Sequence, residues 1–177
     1  MLVIKQLPVL ETKNLWKGFS TVNGDYSWAL KEINLRFLER ESVSIVGKPD
    51  AGKSTLLKIL GFQETPDKGE VYFQGRLVGA IGAEELEHMH NERVWLIHQP
   101  MTDEQLITSA PEYLAAVLLD EPVIPSDPGA GNRFWAYIQY LNHHGIAVTI
   151  ATRDPKNAFY ASSLYSINQG TLKKLSK

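Results

Sequence analysis

The chain has 177 residues, of which 44% are hydrophobic and 21% are charged, a composition typical of a globular domain with a buried core rather than of a disordered chain. Lysine and arginine number 18 against 20 aspartates and glutamates, and this net charge of −2 argues against a nucleic-acid partner or an electrostatic membrane binder. Because the chain contains no cysteine, a disulfide framework, a thiolate metal site and a cysteine nucleophile are excluded. Its first residues lack the apolar run of a secretory signal, and no stretch reaches the roughly 18 apolar residues of a spanning helix, so the sequence predicts a cytoplasmic protein without its own transmembrane segment.

Taken in chain order, the hydrophobic pattern predicts an α/β chain that begins with an antiparallel, β-rich region. The later apolar runs do not alternate with polar residues, which is typical of strands in a sheet covered on both faces. No internal repeat or linker interrupts the pattern, so a single domain over residues 1–177 is expected. The predicted strands are 30–37, 42–47, 69–79 (a pair), 94–98, 115–119 and 146–151; the predicted helices are 54–60, 83–93, 132–144 and 159–164; and a closing hairpin turns at Gly170.

Residues 47–54 match the phosphate-loop pattern G-x-x-x-x-G-K-[ST] without a mismatch, and they lie between a predicted strand and a predicted helix. Glycines let such a loop fold so that its N–H groups and the following helix N-terminus face phosphate oxygens. Lys53 is expected to reach the β- and γ-phosphates, and the Ser54 hydroxyl to ligate Mg²⁺. Asp50 is unusual because it adds a negative charge near the phosphates. The predicted nucleotide-binding residues of this segment are Gly47, Lys48, Pro49, Asp50, Ala51, Gly52, Lys53, Ser54 and Thr55.

Two carboxylates, Asp120 and Glu121, follow the predicted strand 115–119. Ligands of open α/β sheets bind beyond the carboxyl ends of the strands. Asp120 is therefore expected in the magnesium shell, and Glu121 is expected to polarise the attacking water as a general base. An acidic turn without function is the alternative for this pair taken alone, and the upstream phosphate loop favours the functional interpretation.

Together these residues resemble the ATP-binding subunit of an ABC (ATP-binding cassette) transporter. The resemblance runs through residues 29–79, through the VLLDEP segment 117–122 and through the final hairpin 165–175. It implies a P-loop NTPase fold with an ABC-type RecA-like core and an N-terminal antiparallel β-subdomain, with ATP and Mg²⁺ as cofactors. It also implies that Gln99 contacts Mg²⁺ or the attacking water and that Ser126 and Asp127 form the D-loop. The neighbouring His98 is expected on the opposite strand face, in a structural role.

The sequence departs from the family pattern in three places. An LSGGQ-like signature is absent, and the 20 residues between Gln99 and Asp120 are too few for the helical subdomain that carries it, so this subdomain is expected to be deleted. Arg153 occupies the position of the switch histidine, where it cannot accept a proton but could neutralise a γ-phosphate. The aromatic that stacks on adenine is expected to be Tyr26; alignment places Val22 there, and the aromatic alternatives are Phe19 and Trp28.

These observations predict a Mg-ATP-binding subunit that hydrolyses ATP slowly, with Glu121, Gln99 and Arg153 as catalytic residues and Ser54, Gln99 and Asp120 as metal ligands. The alternative is a non-catalytic nucleotide-binding module that controls a partner protein. The family sandwiches ATP between the phosphate loop of one chain and the signature of the other. An ATP-driven homodimer is therefore not expected, and the expected partners are a full-length ABC ATPase or membrane transport subunits at the inner face of the membrane.

Overall fold

The computed structural model describes residues 6–21, 23–98, 112–122, 128–158 and 161–175. Within these ranges the chain forms ten strands, four α helices and a short 3₁₀ helix, Val78–Ala80. The strands are β1 (Leu10–Ser20), β2 (Tyr26–Phe37), β3 (Ser42–Val46), β4 (Lys68–Phe73), β5 (Arg76–Leu77), β6 (Val94–Ile97), β7 (Ala116–Asp120), β8 (Ala147–Thr152), β9 (Ser163–Asn168) and β10 (Thr171–Leu175). The helices are α1 (Lys53–Leu60), α2 (Ala83–Glu92), α3 (Pro128–His143) and α4 (Pro155–Ala158).

The strands form two sheets, which confirms the predicted α/β architecture. An antiparallel sheet has the order β2-β1-β4-β5, and a six-stranded sheet has the order β10-β9-β3-β8-β7-β6. In the second sheet β9, β3, β8, β7 and β6 run parallel, and only the β9–β10 hairpin is antiparallel among its pairs of described strands. The carboxyl ends of β3, β8 and β7 therefore lie side by side at one edge.

The central strands are apolar on both faces because each face packs against a different layer. Leu118 of β7 and Ala151 of β8 lie in a core shared with α1 and the antiparallel sheet. The alternate residues Leu119 and Ile150 lie in a second core against α3. Helices on both sides explain why these strands lack the period-two pattern of a half-exposed strand.

The end of α1 shows how closely the first helix approaches the sheet. A Cβ at Gly61 would lie 3.1 Å from the Leu96 side chain, so glycine allows this contact. Phe62, rather than the glycine, adopts the left-handed conformation, with φ of +62°. The Gln63 N–H donates to the Lys58 carbonyl (2.8 Å), which completes a Schellman motif.

One predicted element is wrong. Of the helix expected at 159–164, the described residues 161–164 form no helix, since Ser163 and Leu164 belong to strand β9, and a helix spans Pro155–Ala158. The Lys156 N–H donates to Asp154 Oδ1 (2.9 Å), so Asp154 caps this helix and Pro155 occupies its first turn.

Candidate functional site

Strand β8 lies between the two sequence motifs and connects them through backbone hydrogen bonds. The Gly47 N–H of the phosphate loop donates to the Thr152 carbonyl (3.1 Å), and the Glu121 N–H donates to the Ala151 carbonyl (2.9 Å). Thr152 is buried, and the chain emerges from the sheet at Arg153. The phosphate loop, the acidic pair and Arg153 thus meet at the carboxyl edge of three adjacent parallel strands, where ligands bind in α/β sheets.

Two glycines of the loop are required by its backbone. A Cβ at Gly47 would lie 2.6 Å from the Ile167 carbonyl oxygen, and one at Gly52 would lie 2.5 Å from that of Ala29. Gly52 also has a φ of +104° and is the N-cap of α1, whose first turn carries no acidic residue. Since a glycine cap offers no side-chain acceptor, the first N–H groups of α1 are available to an anion.

The Lys53 side chain is 5% exposed. Its ammonium group donates to the carbonyl oxygens of Gly47 (2.8 Å) and Lys48 (3.0 Å). It also forms an ion pair with Glu121 Oε1 (3.0 Å). Because an ammonium group has three donors, each of them has a partner in this arrangement.

Glu121 is held from two sides. Its Oε1 contacts Lys53, and its Oε2 accepts a hydrogen bond from the Arg153 N–H (3.1 Å). Its backbone φ is +49°, a left-handed conformation that is uncommon for a side chain of this size. This turn directs the carboxylate back over the phosphate loop.

Asp120 has one carboxylate oxygen without a partner. Its side chain is 9% exposed, and its Oδ2 lies 3.4 Å from His98 Nδ1. Its Oδ1 is buried and has no hydrogen-bond partner among the described residues. A buried anionic oxygen without a partner is energetically costly unless a cation approaches it. The carboxylate of Asp120 and the exposed Ser54 hydroxyl offer hard oxygens, the ligands that Mg²⁺ prefers.

Two cavities adjoin the phosphate loop. The smaller cavity, about 260 Å³, is lined by Phe19, Ala29, Asp50, Gly52, Lys53, Ser54 and Thr55. The larger cavity, about 450 Å³, continues from Phe19 and Asp50 and is lined by Trp28, Lys31 and Gly170 among others. Along the loop, Pro49, Asp50 and Ser54 are exposed, whereas Ala51 is buried. Asp50 has a φ of +60°.

Tyr26 is not among the residues that line either cavity. Its hydroxyl donates to Asp67 Oδ2 (2.7 Å), and its ring packs edge-on against Trp28. The hydroxyl of Tyr26, the Gly18 N–H and Lys17 lower the pKa of Asp67. The alternative aromatic, Phe19, lines both cavities and is 44% exposed.

Several predicted residues lie outside the described part of the chain: Gln99, Val22, Ser126 and Asp127. The side chain of Arg153 is exposed, and its backbone N–H is what contacts Glu121.

The sequence predicts a structural role for His98, on the strand face opposite Gln99. Strand β6 ends at Ile97, so the alternation of strand faces does not extend to His98. Its Nδ1 faces Asp120 Oδ2, and its Nε2 lies 3.3 Å from Gln63 Oε1. No signal in the residues next to His98 predicts this contact with Asp120.

Comparison with known proteins agrees with this geometry. The sequence profile described as ABC transporter matches residues 30–158. The chain belongs to the ABC transporter family. It contains an ATP-binding domain of the ABC ATPase type, which covers the phosphate loop, the acidic pair and Arg153.

Related ABC proteins are moderately similar in sequence. An ABC transporter ATP-binding protein of Methanocaldococcus jannaschii, MJ1508, is 35% identical over 113 residues, which are 64% of this chain and 50% of the relative. The lipoprotein-releasing system ATP-binding protein LolD of Paramagnetospirillum magneticum is 35% identical over 61% of this chain and 50% of the relative. The matched part of this ABC chain thus corresponds to about half the length of these relatives.

The fold also matches solved ABC cassettes. The dimeric structure of the cassette MJ0796 superposes with a TM-score of 0.78 at 21% identity and covers 95% of this chain and 99% of that one. MJ0796 bound to ADP and Pi gives a TM-score of 0.77 at 19% identity, with the same coverage. In the described residues, no helix is both long and apolar enough to span a membrane.

Proposed function

We propose that this chain is a reduced ABC-type nucleotide-binding domain over residues 1–177. It binds ATP with Mg²⁺ in the two cavities beside the phosphate loop and hydrolyses the ATP slowly. The observation that carries the proposal is the 3.0 Å contact between Lys53 and Glu121. It brings together the two charged groups that phosphate binding and water activation require. Membership of the ABC family supports ATP as the nucleotide.

Each residue has a role that follows from its position. The loop N–H groups and the Lys53 ammonium would hold the phosphates, and Glu121 would accept a proton from the attacking water. Mg²⁺, when bound, would neutralise phosphate charge. Ser54, Asp120 Oδ1 and Gln99 would hold it. Arg153 would add positive charge beside the γ-phosphate.

The adenine is proposed to stack on Phe19 rather than on Tyr26. Phe19 lies on the wall shared by the two cavities, beside the loop residue Asp50. Tyr26 is engaged with Asp67. An exposed ring that extends the phosphate cavity is the feature that a purine base requires.

Slow hydrolysis follows from the proposed deletion of the helical subdomain between residues 99 and 120. The alignment with the macrolide export ATP-binding/permease protein MacB of Pasteurella multocida supports the deletion. This alignment is 221 positions long but includes only 93% of the 177-residue chain, so many residues of the relative have no counterpart in this chain. Without a signature, donors to the γ-phosphate are missing, and loss of one such donor typically lowers kcat by about 10²–10³.

The second candidate is a non-catalytic module in which ATP occupancy controls a partner protein. The observation that favours it is Arg153, since a guanidinium cannot exchange protons as an imidazole does. A turnover assay separates the two candidates: hydrolysis that disappears in both Lys53→Ala and Glu121→Gln supports the ATPase. Complete absence of turnover in the wild type, with ATP binding retained, supports the regulatory module.

The proposed binding is tested by calorimetry with ATP in the presence and absence of Mg²⁺. Lys53→Ala removes a charge-assisted contact worth about 1.5–3 kcal/mol, so the Kd should rise roughly ten- to hundredfold. A matched control is Lys58→Ala, which changes an exposed lysine on the same helix and should leave the Kd unchanged. Equal affinity of Lys53→Ala and wild type would refute the site.

The partner is proposed to be a full-length ABC ATPase or a membrane transport subunit, at the cytoplasmic face of a membrane. Two copies of this chain would leave the phosphate uncovered, while association costs an estimated 4 kcal/mol or more. Sedimentation of Glu121→Gln should therefore show the same mass with and without Mg-ATP. An ATP-dependent dimer would mean that another segment of this chain replaces the signature.

A further inference from the structure

The aromatic ring that is proposed to stack on adenine has a cation on one of its faces. The Lys17 ammonium lies 5.3 Å from the centroid of the Phe19 ring, within the range of a cation–π contact. Phe19 lines both cavities beside the phosphate loop and is 44% exposed. Because the ammonium occupies one face of this ring, a base in the cavities would stack on the opposite face.

Lys17 is itself held in place by two carboxylates. Its side chain is 11% exposed, and its ammonium forms ion pairs with Glu64 Oε1 (2.8 Å) and Asp67 Oδ1 (3.2 Å). The hydrogen bond to Glu64 raises the pKa of Lys17, and the hydrogen bond to Asp67 adds to this effect. The group beside Phe19 is therefore a cation at neutral pH, and its position is fixed by two partners.

The two carboxylates belong to the segment that follows α1, the helix that begins at the phosphate loop. Asp67 also binds the backbone of β1 on both sides of Lys17. Its N–H donates to the Trp16 carbonyl (2.9 Å), and its Oδ2 accepts from the Gly18 N–H (2.7 Å). These contacts attach the part of β1 that carries Phe19 to the segment after α1, so the ring has a fixed support beside the phosphate loop.

The contact with Lys17 limits how the Phe19 ring can turn. An exposed phenylalanine can otherwise exchange between staggered side-chain conformations, and a ligand that stacks on it must restrict that exchange. The ammonium attracts the electron-rich face of the ring and so favours one orientation before a ligand binds. Such preorganisation lowers the cost of binding the base.

We propose that Lys17 is a positioning residue for the nucleotide base: it holds one face of the Phe19 ring, so that the other face is presented to adenine. The inference rests on the proposed function, since it concerns the same site and its stacking partner. It gives the buried ammonium of Lys17 a role in base binding in addition to its ion pairs with Glu64 and Asp67.

The test compares ATP with inorganic triphosphate, which lacks the base, in calorimetric titrations with Mg²⁺. Lys17→Met removes the charge but keeps an unbranched side chain, whereas Lys17→Arg keeps a cation. Lys13→Met is the matched control: Lys13 is on the same strand, and its ammonium lies 4.3 Å from the centroid of the Tyr72 ring, which is not among the rings that line either cavity. Lys17→Met combined with Phe19→Ala shows whether Lys17 acts through the ring.

We expect Lys17→Met to raise the Kd for ATP about threefold, less than loss of the whole ring, and to leave the Kd for inorganic triphosphate unchanged. Lys17→Arg should recover most of this loss, and Lys13→Met should match the wild type. In the Phe19→Ala background, Lys17→Met should cause no further loss. If Lys17→Met does not fold, its combination with Glu64→Gln carries the test, because this variant removes one of the two carboxylates left without a cation.

Four outcomes would overturn the inference: an unchanged Kd for ATP in Lys17→Met (or in its combination with Glu64→Gln, where that variant carries the test), an equal loss of affinity for ATP and inorganic triphosphate, an equal defect in Lys17→Arg, or a further threefold loss in the Phe19→Ala background. The second outcome would indicate a purely structural role. Absence of ATP binding by the wild type would instead refute the proposed function itself, so the two failures are distinguishable.

Discussion

Replacement of Glu121 by glutamine is expected to tighten nucleotide binding. In the structure, the Lys53 ammonium contacts two loop carbonyls and Glu121 Oε1. A phosphate that binds to this ammonium must displace one of these partners, and the carboxylate is the one whose negative charge it repels. Glutamine keeps the shape of the side chain and an oxygen that can accept from the Arg153 N–H, but it removes the charge that competes with phosphate.

The size of the effect follows from the exposure of the two groups. The side chain of Lys53 is 5% exposed, whereas that of Glu121 is 40% exposed, so solvent screens the pair and reduces its strength. Exposed ion pairs contribute about 0.2–1 kcal/mol and hydrogen bonds to charged groups about 1.5–3 kcal/mol. We expect a gain of about 1 kcal/mol, or roughly a fivefold lower Kd.

The assay is calorimetric titration with ADP, so that hydrolysis of the ligand cannot distort the measured Kd. Glu112→Gln serves as a control, because Glu112 is an exposed carboxylate outside the site. An ADP affinity of Glu121→Gln equal to or weaker than that of the wild type would refute the competition between carboxylate and phosphate.

Three further results are expected. Asp50→Gly should lower the Kd for ATP by about threefold in calorimetry, because it removes a negative charge from the wall of the smaller cavity. Glycine also adopts the φ of +60° at this position without strain. A higher Kd would contradict the position of the Asp50 carboxylate beside the phosphates. Phe19→Ala should raise the Kd for ATP about fivefold by removing a stacking partner but leave the Kd for inorganic triphosphate unchanged. Tyr26→Leu, which removes the other ring, should alter neither Kd; the opposite pattern would restore Tyr26 as the adenine partner. The Tyr26 hydroxyl holds the pKa of Asp67 below its usual value, so the Asp67 carboxylate stabilises the fold above about pH 4, and this contribution disappears as the pH falls through the lowered pKa. Urea unfolding should therefore show that Asp67→Asn is less stable than the wild type at neutral pH and that the difference shrinks below about pH 4. A difference that stays constant with pH would contradict this role of Asp67.

The sequence could predict those features whose signals lie within a few consecutive residues. The phosphate loop is a contiguous pattern between a strand and a helix, and the acidic pair directly follows an apolar run. The structure confirms the strand before each motif and the helix after the loop. The binding roles of these residues remain predictions, and Gln99 lies outside the described residues.

Features that depend on distant residues could not be predicted in this way. The contact of His98 with Asp120 requires that β6 end at Ile97 and lie beside β7, and neither fact is encoded next to His98. The choice between Phe19 and Tyr26 depends on Asp67, which is 41 residues from Tyr26 along the chain. By contrast, the misplaced helix at 159–164 had a local signal, since Asp154 followed by Pro155 is a typical helix start.

The position of β8 has a consequence for the order in which the chain can fold during synthesis. The phosphate loop and the acidic pair both precede residue 147, yet the backbone contacts that hold them side by side come from Ala151 and Thr152. Gly170, still later in the chain, donates its N–H to the Ala51 carbonyl (3.2 Å). Parallel pairing of distant segments forms slowly. Under the proposed function, a ribosome-bound chain that ends before β8 would therefore carry both motifs without a complete nucleotide site, and ATP would stabilise the fold only after the last strands have emerged.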